Sequence, residues 1–198
     1  DYEVFDPDND TSILHNYSDM NFRNEKVRNK TALQKQLGLE VNGKKFMIGI
    51  ISRLTSQKGF DLIQRVIEEI TTDDTQLVIL GTGEEGFVNT FNYFAWKYPQ
   101  RVSSNIYYSE ELSHRIYAAS DAFLMPSAFE PCGLSQLMAL RYGSVPIVRE
   151  TGGLRDTVEP YNEFENTGTG FSFANYNAHE MLDCVRNAER IYYDRKRE

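Results

Sequence analysis

The chain has 198 residues, a net charge of −8 and 40% hydrophobic residues, the profile of one well-packed globular domain. The negative charge argues against nucleic acid or an anionic membrane as the main partner, and no run of about 18 apolar residues exists to span a bilayer. Cys132 and Cys184 make neither a disulfide framework nor a metal-ligand spacing, which suits a reducing, intracellular compartment. No charged-then-apolar leader opens the sequence, so no secretion signal is expected.

Residues 1–44 are polar and rich in Asp and Asn. They carry one helical pattern, over 24–37, which stops at Gly38; the rest reads as a linker or domain edge. From Lys45 onward short apolar runs alternate with amphipathic stretches. Strands are expected over 46–51, 76–80, 105–108, 122–125, 145–148 and 170–173. Helices are expected over 60–70, 86–98, 112–119, 134–142 and 178–193. Apolar runs bounded by Gly or Pro and alternating with helices indicate parallel strands covered on both faces. The expectation is a doubly wound α/β domain over 45–198. Such sheets bind ligands in the turns that leave the carboxyl ends of their strands.

The turn after the first strand reads Ser52-Arg53-Leu54-Thr55-Ser56-Gln57-Lys58-Gly59. Two cations beside the free N–H groups of a helix start form an anion site; the alternative is a solvated loop with surface charges. The turn after the second strand, Gly81-Thr82-Gly83-Glu84-Glu85-Gly86, matches a dinucleotide fingerprint. It stands in the wrong turn, lacks the acidic residue about 20 positions on, and would set Glu84 and Glu85 against a pyrophosphate. These glycines read as turn or close-approach residues. After the fourth strand, Glu130 precedes Pro131-Cys132-Gly133-Leu134-Ser135, where Gly133 opens a helix. The N–H groups of Gly133, Leu134 and Ser135 would favour a phosphate, with Glu130 beside them for sugar hydroxyls; a plain capped helix start is the alternative. Thr151-Gly152-Gly153-Leu154 is, alone, a turn signal.

Taken together, Ser52–Gly59, Ser113-His114-Arg115-Ile116, Phe129-Glu130-Pro131-Cys132-Gly133-Leu134 and Thr151-Gly152-Gly153-Leu154-Arg155-Asp156-Thr157-Val158 resemble the bacterial glycogen synthase and plant starch synthase family. Order and spacing agree over about 1–173, and the pairing of S-R-L-T-x-Q-K-G with F-E-P-C-G-L is the most specific part. The resemblance implies a GT-B enzyme, two Rossmann-like domains around a cleft, of which this chain is similar to the C-terminal one. Residues 1–7 look like the segment leaving the first domain, the family's Lys-x-Gly-Gly motif has no counterpart, and the last helix looks cut short at Glu198.

The implied reaction is retaining transfer of glucose from ADP-glucose to an α-1,4-glucan such as glycogen. Arg53 and Lys58 would bind the diphosphate and stabilise the charge that grows on it. Gly133, Leu134 and Ser135 would donate N–H groups. Glu130 would contact the donor glucose as a stabiliser, and Cys132 would lie close to the sugar. Tyr108 occupies the place of an aromatic ring stacked on adenine, although Tyr107 stands where a small residue is expected. Met138 stands eight positions after Glu130, where some related families carry a second Glu.

No cofactor and no metal is expected. Asp6-Pro7-Asp8-Asn9-Asp10 contains an Asp-x-Asp spacing, but an EF-hand reading fails at Thr11 and Tyr17. His15, His114 and His179 show no base partner in sequence, and His114 reads as a packing or capping residue. The resemblance places the protein in a bacterial cytoplasm or, if plant, a plastid stroma. A UDP-glucose enzyme, another GT-B transferase and a non-catalytic nucleotide-binding module are the competing readings. A phosphorylase-like enzyme would need a pyridoxal-phosphate lysine motif, which is not seen.

Overall fold

The computed structural model describes residues 3–195. The chain runs α1 (Phe22–Leu37), β1 (Phe46–Ile51), α2 (Phe60–Ile70), β2 (Thr75–Leu80), α3 (Glu85–Lys97), β3 (Val102–Asn105), α4 (Glu110–Ala119), β4 (Ala122–Met125), α5 (Ser135–Arg141), β5 (Val145–Arg149), α6 (Gly152–Thr157), β6 (Phe171–Phe173) and α7 (Ala178–Arg195). The strands form one six-stranded sheet in the order β3-β2-β1-β4-β5-β6, with every pairing parallel. The doubly wound expectation holds.

The strands are apolar because both faces of the sheet are covered. Alternate residues serve the two faces. Ile48, Ile50, Leu77, Ile79, Leu124 and Ile147 face α2, α3 and α7. Met47, Val78 and Leu80 face α1 and α4, while Phe123 lies with Tyr117, Ala139 and Tyr142 toward α4 and α5. Helix α2 shows the period that makes this possible: Phe60, Ile63, Val66, Ile67 and Ile70 are buried while Gln64, Arg65, Glu68 and Glu69 face water. Gly49 lets α4 close on the sheet, since a Cβ there would lie 2.5 Å from the Ser120 hydroxyl. Among the described residues no helix is long and apolar enough to cross a membrane.

Two expectations are corrected. The third strand lies at Val102–Asn105, not 105–108, with Val102 beside Leu77 and Asn105 beside Leu80. The Ile106-Tyr107-Tyr108 run has the higher β-propensity, but β2 ends at Leu80 and the Gly81 N–H closes on Asn105 O at 3.1 Å, so the sheet ends there. The polar edge strand is tolerated because the Asn105 amide donates to Ile79 O. The Gly152-Gly153 turn also opens a short helix, α6, that covers Val148 with Leu154 and Val158.

Helix α1 lies against α4 and is tied down by two buried lysines. Lys26 donates to Tyr117 O, Ala118 O and Tyr142 O, the carbonyl ends of α4 and α5. Burial pushes its pKa down to about 7, against the pull of Asp121 and with the push of Lys30. Lys30 pairs with Asp121 at 2.7 Å and donates to Gly43 O, Lys45 O and the Tyr192 hydroxyl. Ahead of α1, Asp10 is buried against His114 and Tyr142. Lys30→Ala leaves Asp121 without its buried cation and should cost about 3–5 kcal/mol. A drop of that size in urea-unfolding stability is the expected result, and one below about 1 kcal/mol would contradict the role given to Lys30.

Candidate functional site

The strand order reverses between β1 and β4, so the turns leaving these two neighbours go to opposite sides of the sheet. A cleft of about 210 Å³ opens at this point. Its walls include Ser52, Arg53 and Lys58 from the β1 turn and Pro126, Ser127, Glu130, Gly133, Leu134 and Ser135 from the β4 turn.

The β1 turn is fixed from behind. Leu54 is fully buried and bridges to Gly83, with Leu54 N bonded to Thr82 O and Glu84 N to Leu54 O, each at 2.9 Å. A Cβ on Gly83 would run into the Leu54 backbone. The Gly81-Thr82-Gly83 sequence therefore supports the Arg53 turn by close approach. A single 3-10 turn, Ser56–Lys58, ends at Gly59, whose φ of +82° and contact with Pro126 O exclude a side chain. Lys58 is thereby aimed across the cleft, where its Nζ lies 2.7 Å from Glu130 Oε2. Arg53 is exposed and has no ion-pair partner among the described residues.

The β4 turn has its carbonyls drawn away from the cleft. Arg149 at the end of β5 donates to Ser127 O and Ala128 O. Gly153 N donates to Glu130 O at 3.0 Å, and the Gln136 amide reaches Cys132 O and Gly133 O. Gly152, at φ +43°, and Gly153 pack on this turn so closely that a Cβ on either would strike its carbonyls. Gly133 turns the chain at φ +64° into α5. The N–H groups of Gly133, Leu134 and Ser135 have no acceptor among the described residues. The Ser127 hydroxyl also contacts Glu130 Oε2, at 3.3 Å, so the carboxylate is held by two partners while 8% exposed. The result is a pocket with one free guanidinium, a shared ammonium, unpaired N–H donors and one carboxylate, a set suited to a ligand that is anionic at one end and rich in hydroxyls at the other.

Of the residues singled out in the sequence, Arg53, Lys58, Glu130, Gly133, Leu134 and Ser135 meet in this cleft. Cys132 is exposed on the same turn but does not line it. Tyr108 stands beyond β3, 87% exposed and outside the lining, whereas the Tyr107 hydroxyl reaches back to Asn105. His114 has a carboxylate partner after all, Asp10 at 2.6 Å, far from it in sequence and inside the core. Asp6 instead serves Asn9 and the Asp8 N–H, and no group of three metal-ligating side chains occurs among the described residues. Ser127, Gln136 and Arg149 were missed. Arg149 carried the best available signal, a cation at the carboxyl end of a buried strand.

The family model described as "Glycosyl transferases group 1" matches residues 32–197. The chain belongs to this family. It is 64% identical over all 198 residues to a glycogen synthase of Lachnospira eligens, covering 41% of that protein. It is 55% identical over 196 residues to a glycogen synthase of Clostridium acetobutylicum, again 41% of that protein. The chain thus spans about two fifths of the length of these relatives. Among solved structures, the catalytic domain of starch synthase IV from Arabidopsis thaliana, bound to ADP and acarbose, superposes with a TM-score of 0.88 at 35% identity, covering 97% of this chain and 40% of that one. A sucrose-phosphate synthase from Thermosynechococcus elongatus shares the fold, with a TM-score of 0.62 at 21% identity over 79% of this chain and 39% of that one.

The two thiols of the chain differ sharply. Cys132 is exposed, while burial and then Glu150 and Glu180 push the Cys184 thiol up to about 12. Iodoacetamide at neutral pH should label Cys132 first, with the half-buried Cys184 reacting far more slowly in the native chain. Labelling of native Cys184 at the rate of Cys132, read by peptide mass, would contradict the burial described.

Proposed function

We propose that the chain is the donor-binding part of a retaining glucosyltransferase of the glycogen and starch synthase type, which moves glucose from ADP-glucose to the end of an α-1,4-glucan. The observation that carries the reading is the Lys58–Glu130 pair across the β1–β4 crevice, with the free Arg53 beside it. The glycogen synthase relatives, and the ADP and acarbose bound to the starch synthase neighbour, support the donor and acceptor classes. The same relatives favour a bacterial cytoplasm as the setting.

The reaction breaks the bond between the sugar C1 and the diphosphate oxygen, and negative charge grows on the departing diphosphate. Arg53 and Lys58 stabilise that charge as an oxyanion hole would. The N–H groups of Gly133, Leu134 and Ser135 hold phosphate oxygens at the start of α5. Glu130 accepts hydrogen bonds from glucose hydroxyls and faces the positive charge that develops at C1. Its contact with Lys58 keeps the ammonium aimed at the cleft before the donor arrives, so little side-chain freedom is lost on binding. With Glu130 acting as a stabiliser and not as a nucleophile, and Met138 supplying no second carboxylate, retention would proceed by departure and attack on one face of the sugar. The two cations do the electrostatic work that a divalent ion does in metal-dependent transferases.

The cleft is smaller than the roughly 300 Å³ at which closed ligand sites begin. One wall of a two-walled site fits that size: the diphosphate and glucose sit in the cleft, and the nucleoside extends toward Tyr107 and Tyr108. The 198-residue chain should therefore bind ADP and ADP-glucose without metal, and should not elongate glycogen. Calorimetry in the presence of a chelator tests the first point. A chain that binds neither ligand, or that elongates glycogen by itself, would overturn the reading. In the complete enzyme Arg53→Ala or Lys58→Ala should remove about 2–4 kcal/mol of transition-state stabilisation, and Lys58→Arg should not restore it fully, because a planar fork does not match a point charge. An unchanged kcat/KM in either alanine variant would remove these cations from the mechanism.

A further inference from the structure

We propose that Arg149, braced by Tyr176, is a positioning residue that sets the Lys58–Glu130 contact without touching the ligand; this rests on the donor-site reading above. A cation at the end of a strand beside an anion cleft would ordinarily be taken for a ligand contact. Arg149 does not line the cleft, and each of its three nitrogens already donates to a backbone carbonyl. Nε bonds Ser127 O at 2.9 Å, one terminal nitrogen bonds Ala128 O, and the other bonds Ala174 O at 3.3 Å. The fork thus grips two consecutive carbonyls just ahead of Glu130.

The guanidinium carbon lies 5.7 Å from the centre of the Tyr176 ring. The single hydroxyl proton of that ring has two acceptors in reach, Ser56 O at 2.9 Å, in the 3-10 turn that carries Lys58, and the Asp61 carboxylate at the start of α2 just after that turn. This cation–ring pair of side chains therefore bears on the backbone behind each end of an ion pair whose members are 72 residues apart. A direct bond, Ala128 N to Gln57 O at 2.9 Å, runs beside the brace and gives it a fixed distance to hold. Neither side chain belongs to the hydrophobic core, and Tyr176 is 38% exposed. Their loss should disturb the cleft more than the global stability.

Arg149→Lys keeps the charge but cannot span two carbonyls with a rigid fork. Tyr176→Phe keeps the ring and removes the hydroxyl. Hydrogen exchange of the Ala128 and Gly153 amides reads the turn without any ligand. In Arg149→Lys these amides should exchange roughly tenfold faster, with Ile48 and Val78 in the sheet unchanged, and Tyr176→Phe should act more weakly in the same direction. The dissociation constant for ADP, followed by its phosphorus resonances, should rise about tenfold in Arg149→Lys, but less than about twofold when the substitution is made in Lys58→Ala, because the brace acts through that lysine. Unchanged exchange at Ala128 and Gly153 in both variants overturns the proposal, as does an equal loss of ADP affinity in the two backgrounds. If the native chain fails to bind ADP while these amides still respond, the donor reading falls and the brace stands. Should Arg149→Lys fail to fold, the exchange pattern of Tyr176→Phe decides.

Discussion

A parallel sheet whose strand order reverses between β1 and β4 sends the connections of those two strands to opposite faces. That one constraint creates a crevice no side chain has to hollow out. It also leaves the ends of two turns, 52–59 and 126–135, facing each other with backbone groups that regular structure cannot satisfy. The rest of the site follows from how those groups are used. The carbonyls of Ser127, Ala128, Glu130, Cys132 and Gly133 are taken by protein donors, while the N–H groups of Gly133 to Ser135 stay open. A turn with its oxygens turned away and its hydrogens exposed is electropositive without a single added cation.

This arrangement matters on a chain of net charge −8. The long-range field opposes an incoming diphosphate, so attraction has to be local, within about a Debye length of 8–10 Å. In the proposed function Arg53 and Lys58, which both line the crevice, supply it. Lys58 is partly neutralised by Glu130 until a ligand arrives. In the proposed function the carboxylate has two tasks, holding the ammonium in place and meeting the sugar, and its near-complete burial would make both contacts stronger than in water.

The layered α/β fold was legible because buried strands and amphipathic helices write different periods, and 46–51, 60–70 and 122–125 fell where the pattern put them. The third strand was misplaced because Ile106-Tyr107-Tyr108 looks more like a strand than Val-Ser-Ser-Asn does; an edge position and the length of β2, neither visible locally, decided otherwise. Arg53, Lys58 and Glu130, singled out through paired motifs where spacing alone left each turn ambiguous, come together in one cleft. Pairings across long stretches of chain left no local trace. Asp10 with His114 and Arg149 with Ser127 and Ala128 depend on topology, which single-sequence periodicity does not report.

The lysines of α1 carry a consequence for how the chain acquires its structure. Lys26 needs carbonyls at 117, 118 and 142, and Lys30 needs Asp121 and the hydroxyl of Tyr192 in the last helix. Helix α1 therefore gains its full set of partners only when segments far later in the chain, α7 included, are available. During synthesis α1 leaves the ribosome many seconds before α7, with two cations that have to stay in water until their acceptors exist. Helix α1 completes the domain rather than nucleating it, and its docking belongs to the late, slow phase expected of contacts so distant in sequence.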